Sequence, residues 1–196
     1  PAVLLAQPDS SFDRSEELFE LLRIAQNTIY QQKFQIALLL GSEGVGKRHN
    51  LDEMGYELSQ QGWIVLRGRC YQQGVGLYPE LASIFRSLDE IFSHASLPFY
   101  QKIRNHYAKI TRLFPEFSED QGDAQELPTR VEIIETLQDL LRFVSLERPV
   151  LIRIDHLHLM TRDTLRVFED LIRQLDNVHV CIVGTSPVYP SFLMRD

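Results

Sequence analysis

Lys47 carries the clearest chemistry in the chain. It closes the stretch Gly41-Ser42-Glu43-Gly44-Val45-Gly46-Lys47, which has the spacing G-x-x-x-x-G-K. Glycines accept φ > 0, so consecutive backbone N–H groups can turn inward and cradle phosphate oxygens. The lysine adds a point charge for the β and γ phosphates. A helix starting behind it aims its positive end at the same place. Gly41, Ser42, Glu43, Gly44, Val45, Gly46, Lys47 and Arg48 are therefore the candidate phosphate-binding residues. The pattern asks for Ser or Thr after the lysine, whose hydroxyl would bind Mg²⁺, and Arg48 stands there instead. Arg48 has two readings. It supplies positive charge in place of the metal, or it points to solvent from the first turn of a helix.

Asp155 ends the apolar run Pro149-Val-Leu-Ile-Arg-Ile-Asp155, the Walker B position of such a fold. A carboxylate there would hold Mg²⁺; the plainer alternative is an aspartate that caps a turn. His156 follows where a water-activating acid is usual, and a histidine can serve as general base. Asp155 and His156 are thus the candidate catalytic residues, with Asp155 also the candidate Mg²⁺ ligand. Thr185, with Ser186 beside it, sits where a γ-phosphate sensor is expected, or where ordinary turn chemistry would put it. Arg153 interrupts the same apolar run. By strand alternation it shares a face with Asp155, so it either neutralises that carboxylate or finds another ion pair or a sheet edge. The remaining histidines show no metal pair at helical spacing with a carboxylate partner.

Strands must place these residues. Apolar runs at 36–40, 63–66, 149–155 and 178–183 alternate with stretches of helical periodicity at 13–32, 48–60, 129–146 and 161–175. Asp13 with Glu16, Thr129 with Glu132, and Thr161 or Asp163 are the expected helix caps. Two amphipathic stretches, marked by Leu81 to Phe92 and Phe99 to Phe114, precede an acidic loop at 115–128. Residues 1–12 read as a lead-in. Alternating strands and helices imply right-handed crossovers and an α/β fold in three layers, with a parallel sheet covered on both faces. Ligands of such sheets bind at the carboxyl ends of the strands, where the phosphate loop, Asp155 and Thr185 all fall.

The chain has 196 residues, a net charge of −7 and 44% hydrophobic residues. That length and composition fit one domain, 1–196, with a helical insertion at 79–128. The acidic balance argues against a large nucleic-acid footprint. No apolar run reaches membrane-spanning length and no signal-like segment opens the chain, so a cytoplasmic protein without membrane contact is expected. Cys70 and Cys181 match no metal spacing and read as reduced, buried thiols.

Together these segments resemble the AAA-like ATPase module of the STAND class of signalling NTPases, found beside cyclase, kinase and helix-turn-helix regulator domains. Phe12, Arg14, Glu17 and Leu18 resemble the module's opening F-x-G-R-x-x-E-L, without its glycine and with one residue fewer. Gly41, Gly44, Gly46 and Lys47 match its phosphate loop. Gly68, Arg69, Cys70, Tyr71, Tyr78 and Pro79 match its G-R-C segment and aromatic-proline pair. Pro149, Val150, Leu151, Asp155, Leu157 and His158 match its P-V-L-h-h-h-D-D-L-H-W stretch. The resemblance implies a P-loop sheet with the four strands in order 1-4-3-2, ATP or ADP as ligand, and protein partners. The departures fall on the chemistry: Arg48 replaces the hydroxyl, His156 the second acid, Leu159 the tryptophan and Pro187 an arginine. The chain also stops before a fifth strand and the helical lid. These losses disfavour Mg²⁺ and hydrolysis. They imply a degenerate regulatory or assembly module with weak or absent nucleotide binding. An active Mg²⁺-dependent ATPase and a pure interaction scaffold with a vestigial pocket are the alternatives.

Overall fold

Strictly apolar runs of five or six residues have no polar face to show to water, so they are stable only when helices cover both sides. The computed structural model has this arrangement; it describes residues 2–6, 14–71, 78–93 and 129–189. In chain order the elements are β1 (Ala2–Ala6), α1 (Arg14–Gln31), β2 (Gln35–Leu40), α2 (Lys47–Gln60) and β3 (Ile64–Arg69). Then come α3 (Pro79–Ser93), α4 (Arg130–Glu147), β4 (Val150–Asp155), a 3-10 turn (Leu157–Leu159), α5 (Arg162–Gln174) and β5 (Val180–Ser186). The second amphipathic stretch at 99–114 and the acidic loop at 115–128 lie outside the described residues, as do Phe12 and the Asp13 cap.

The sheet is fully parallel with order β1-β2-β5-β4-β3. The four expected strands therefore stand in the 1-4-3-2 order. The lead-in corrects one expectation: Ala2–Ala6 is a fifth strand, paired in parallel along β2 from Ala2 opposite Ile36 to Ala6 opposite Leu40. The five apolar residues show neither alternation nor helical period, although Pro1 and Pro8-Asp9-Ser10-Ser11 bound them as they would a strand. Two boundaries also move. β3 runs on through Gly68 to Arg69, and β5 continues to Ser186, so Thr185 is a strand residue and not part of a turn.

Alternation along the strands sorts the core into two layers. Ala37, Leu39, Leu151, Cys181 and Val183 pack with Leu21, Ile24 and Ala25 of α1 and Leu51, Met54 and Leu58 of α2. Leu38, Ile152, Ile154, Val180 and Ile182 face the other way, onto α3, α4 and α5. Each fully buried leucine stabilises the fold by roughly 1.5–3 kcal/mol. Local signals fix the helix ends. Thr129 and Glu132 form the reciprocal capping box that starts α4, and Thr161 caps α5 by accepting from the Thr164 N–H. Gly62, at φ 87°, reverses the chain after α2.

A candidate nucleotide-phosphate site at the carboxyl edge of the sheet

β2 delivers the chain to Gly41, whose N–H donates to the Ser186 carbonyl at 3.2 Å and so moors the loop to the end of β5. Gly44 and Gly46 take φ of 85° and 100°, the left-handed region where a Cβ is strained, and Gly46 stands immediately before α2. Lys47 is the first residue of α2 and is largely buried. Its ammonium donates to the carbonyls of Gly41 at 2.5 Å and Ser42 at 2.6 Å. Burial holds its pKa below the ordinary lysine value, against the pull of Glu43 and Asp155. The loop's own carbonyls thus hold the lysine in the cradle. Val45 and Glu43 are exposed on the rim.

The register of the sheet brings the other candidates to the same edge. Leu40 pairs with Ser186, and Asp155 is opposite Arg69 at the end of β4. Asp155 Oδ1 accepts from Thr185 Oγ1 at 2.6 Å and from the His156 N–H at 3.1 Å. The His156 N–H also lies 3.1 Å from Thr185 Oγ1. Asp155 Oδ2 faces Arg48 Nε at 3.9 Å and His156 Nε2 at 3.7 Å. Thr185 is buried, and Arg48 is 63% exposed, so the Arg48–Asp155 pair adds at most about 1 kcal/mol to folding. Glu43, Gly44, Gly46, Lys47, Arg48, Asp155, His156, Thr185, Ser186 and Pro187 line one cleft of about 290 Å³. The sequence candidates are thus brought together, apart from Gly41, Ser42 and Val45, which shape the loop behind it.

Among the described residues, Mg²⁺ has poor support here. The usual hydroxyl is missing, and the Asp155 oxygen not taken by Thr185 already faces a guanidinium. The residues present do not form the two-ligand Mg²⁺ seat of a phosphate-loop enzyme.

Arg153 is not the cation at Asp155. It points to the α1/α2 layer, where its guanidinium pairs with Asp52 of α2. A Cβ at Gly55 would sit 3.0 Å from Arg153 Nη1, so the glycine makes room for this side chain. The ion-pair reading of Arg153 therefore holds, on an interior strand.

Sequence spacing missed two further features. His156 adopts the left-handed conformation, φ 57° and ψ 45°, a strain of about 1–3 kcal/mol for a non-glycine residue. The bend turns His158 back, so that the two imidazole centroids lie 5.9 Å apart, edge to face. Burial, then the neighbouring His156, lowers the His158 pKa. The only hint in the sequence was the His-Leu-His step directly after the strand-end aspartate. The second feature is Glu80 at the start of α3, 1% exposed, which accepts from Thr161 N–H at 2.9 Å, Thr161 Oγ1 at 3.1 Å and Thr164 Oγ1 at 2.5 Å. It ties α3 to the cap of α5, and nothing in its sequence context marked it.

A parallel sheet with a glycine loop and lysine at its first core crossover, and an aspartate at the end of a neighbouring strand, defines a nucleotide-binding ATPase-type module. A family model described as the AAA ATPase domain matches residues 11–183, nearly the whole chain, and the chain belongs to that family. No curated protein sequence matches it.

Proposed function

We propose that the chain is a non-hydrolysing member of its family, a regulatory module that binds ATP or ADP weakly and without Mg²⁺. The observation that carries this is Arg48, standing where the metal-binding hydroxyl is usual and facing Asp155 at 3.9 Å, a cation beside the carboxylate that would otherwise hold the metal. In this reading the loop N–H groups and Lys47 hold the phosphates. Lys47 exchanges its bonds to Gly41 and Ser42 for phosphate oxygens, which are stronger, charge-assisted acceptors. Arg48 then offsets the charge that Mg²⁺ would have met. Thr185, already donating to Asp155, serves as the polar group nearest the terminal phosphate.

Hydrolysis asks for more than binding. It needs a metal that neutralises the developing charge and a group that orients water. Among the described residues, His156 is the candidate for the second task. Its ring lies against Asp155, and its backbone is held in a strained turn by Asp155 and Thr185. A regulatory or assembly role, exerted on protein partners by the bound or empty state of the loop, follows from binding without turnover.

Fluorescent ATP-analogue titration tests this reading. Binding should be the same within about twofold in Mg²⁺ and in EDTA, and should fall at least tenfold in Lys47→Ala, roughly the loss of one charge-assisted contact. Mg²⁺-dependent phosphate release that disappears in Asp155→Ala would overturn it.

A further inference from the structure

The mouth of the cleft also gathers side chains able to hold a metal. Glu43 on the loop, and His156 and His158 on the turn after β4, each present a ligand atom, and the three atoms lie within 4.8 Å of one another. They come from two segments that the fold alone brings together. His158 Nδ1 is a fully buried polar atom without a hydrogen-bond partner. The His158 ring stands edge to face with that of His156, so the two imidazoles and the carboxylate are gathered around one point at the cleft mouth.

We propose that Glu43, His156 and His158 form a binding site for a divalent transition metal of the zinc class. Two imidazoles and one carboxylate are a donor set that suits Zn²⁺ and its neighbours, and not Mg²⁺, which takes oxygen ligands. A tetrahedral ion with bonds of about 2.0–2.1 Å needs donors roughly 3.3 Å apart. Glu43 is exposed on the loop and can swing in to close that gap. Two other groups set the local charge. Lys47 opposes a cation here, but its ammonium is turned to the Gly41 and Ser42 carbonyls. Asp155, next to His156, favours one. Three protein ligands leave a coordination position for water or an oxygen anion. Glu43 and His156 also line the phosphate cleft, so the bound ion would strap the loop to the end of β4 at the cleft mouth. Its three ligand atoms are side-chain atoms, distinct from the loop N–H groups and Lys47 that phosphates would use, so metal uptake can be read on the nucleotide-free chain.

The test uses the full chain, freed of metal and nucleotide, with Zn²⁺ followed by calorimetry and Co²⁺ by its visible absorption. One ion per chain is expected, with cobalt bands of an N/O site and no thiolate charge-transfer band. Glu43→Gln and His156→Asn should each weaken Zn²⁺ by at least about tenfold, the loss that even an outer-shell partner causes. His158→Gln should do the same; if it fails to fold, the two exposed-side variants still decide. No uptake of either ion, or uptake unchanged in the Glu43→Gln/His156→Asn double variant, would overturn the proposal, as would a thiolate band pointing to Cys70 or Cys181.

Discussion

A strand-end carboxylate can hold a metal only through an oxygen that neighbouring groups leave open. At Asp155 one oxygen takes hydrogen bonds from Thr185 and the His156 N–H, and the other faces Arg48. In the reading proposed above, Arg48 sets the site's response to Mg²⁺ more than Asp155 does. Replacing it with serine restores the missing hydroxyl and removes the competing cation. In Arg48→Ser, nucleotide affinity should become Mg²⁺-dependent, with about a tenfold gain on adding the metal, read by the same fluorescent titration; one metal-mediated contact of about 1.4 kcal/mol gives that factor. The thiols make a second residue-scale prediction. Burial pushes Cys181 up to about 12 and raises Cys70 still further, with Glu80 and Asp155 adding to the shift at Cys70. A raised pKa means less thiolate, on the order of one part in ten thousand at pH 8 for Cys181. Neither cysteine should react with a thiol reagent at pH 8 until the protein unfolds. Rapid labelling of the native chain would show that the core around them is open.

Elements matter here through how they are tied together. α3 and α5 meet through Glu80, a carboxylate with three donors from the Thr161–Thr164 cap. Glu80→Ala leaves that cap N–H and the Thr164 hydroxyl without their acceptor, while the Thr161 hydroxyl can turn to Thr164 Oγ1. It should cost about 2–3 kcal/mol in urea unfolding, the worth of hydrogen bonds to a charged group. Glu80→Gln should recover part of it. A change within experimental error would mean that solvent replaces the carboxylate freely. On the opposite face, Arg153 and Asp52 join β4 to α2, the helix that begins with Lys47. The turn after β4 is seated differently. Gly184 of β5 leaves room for Leu157, since a Cβ there would lie 2.9 Å from Leu157 Cδ2. Leu157 separates the two histidines, so the close approach of β5 to this turn sets where both rings point.

At the scale of the whole molecule, the sheet was legible because short apolar runs alternate with helix-length stretches along the chain. That pattern fixes parallel strands with crossovers. The phosphate loop was legible for the same reason: its glycines and lysine lie between a strand and a helix. What spacing could not show are the contacts made across layers. The Arg153–Asp52 pair, the Glu80 knot and the Glu43–His156–His158 group each join residues far apart in the chain, and no local period encodes them. β1 escaped because five apolar residues without alternation carry little weight, even with Pro1 and Pro8-Asp9-Ser10 bounding them. Among the described residues, no helix is long and apolar enough to cross a membrane. The loop, Asp155 and Thr185 meet because the order β2-β5-β4 puts their strand ends side by side. The most direct test is calorimetric titration of the intact protein with ATP, in EDTA and in excess Mg²⁺, with phosphate release followed in the same samples. The account predicts equal, weak binding in both and no release above the uncatalysed background. Binding that requires Mg²⁺, or steady release of phosphate, would contradict it.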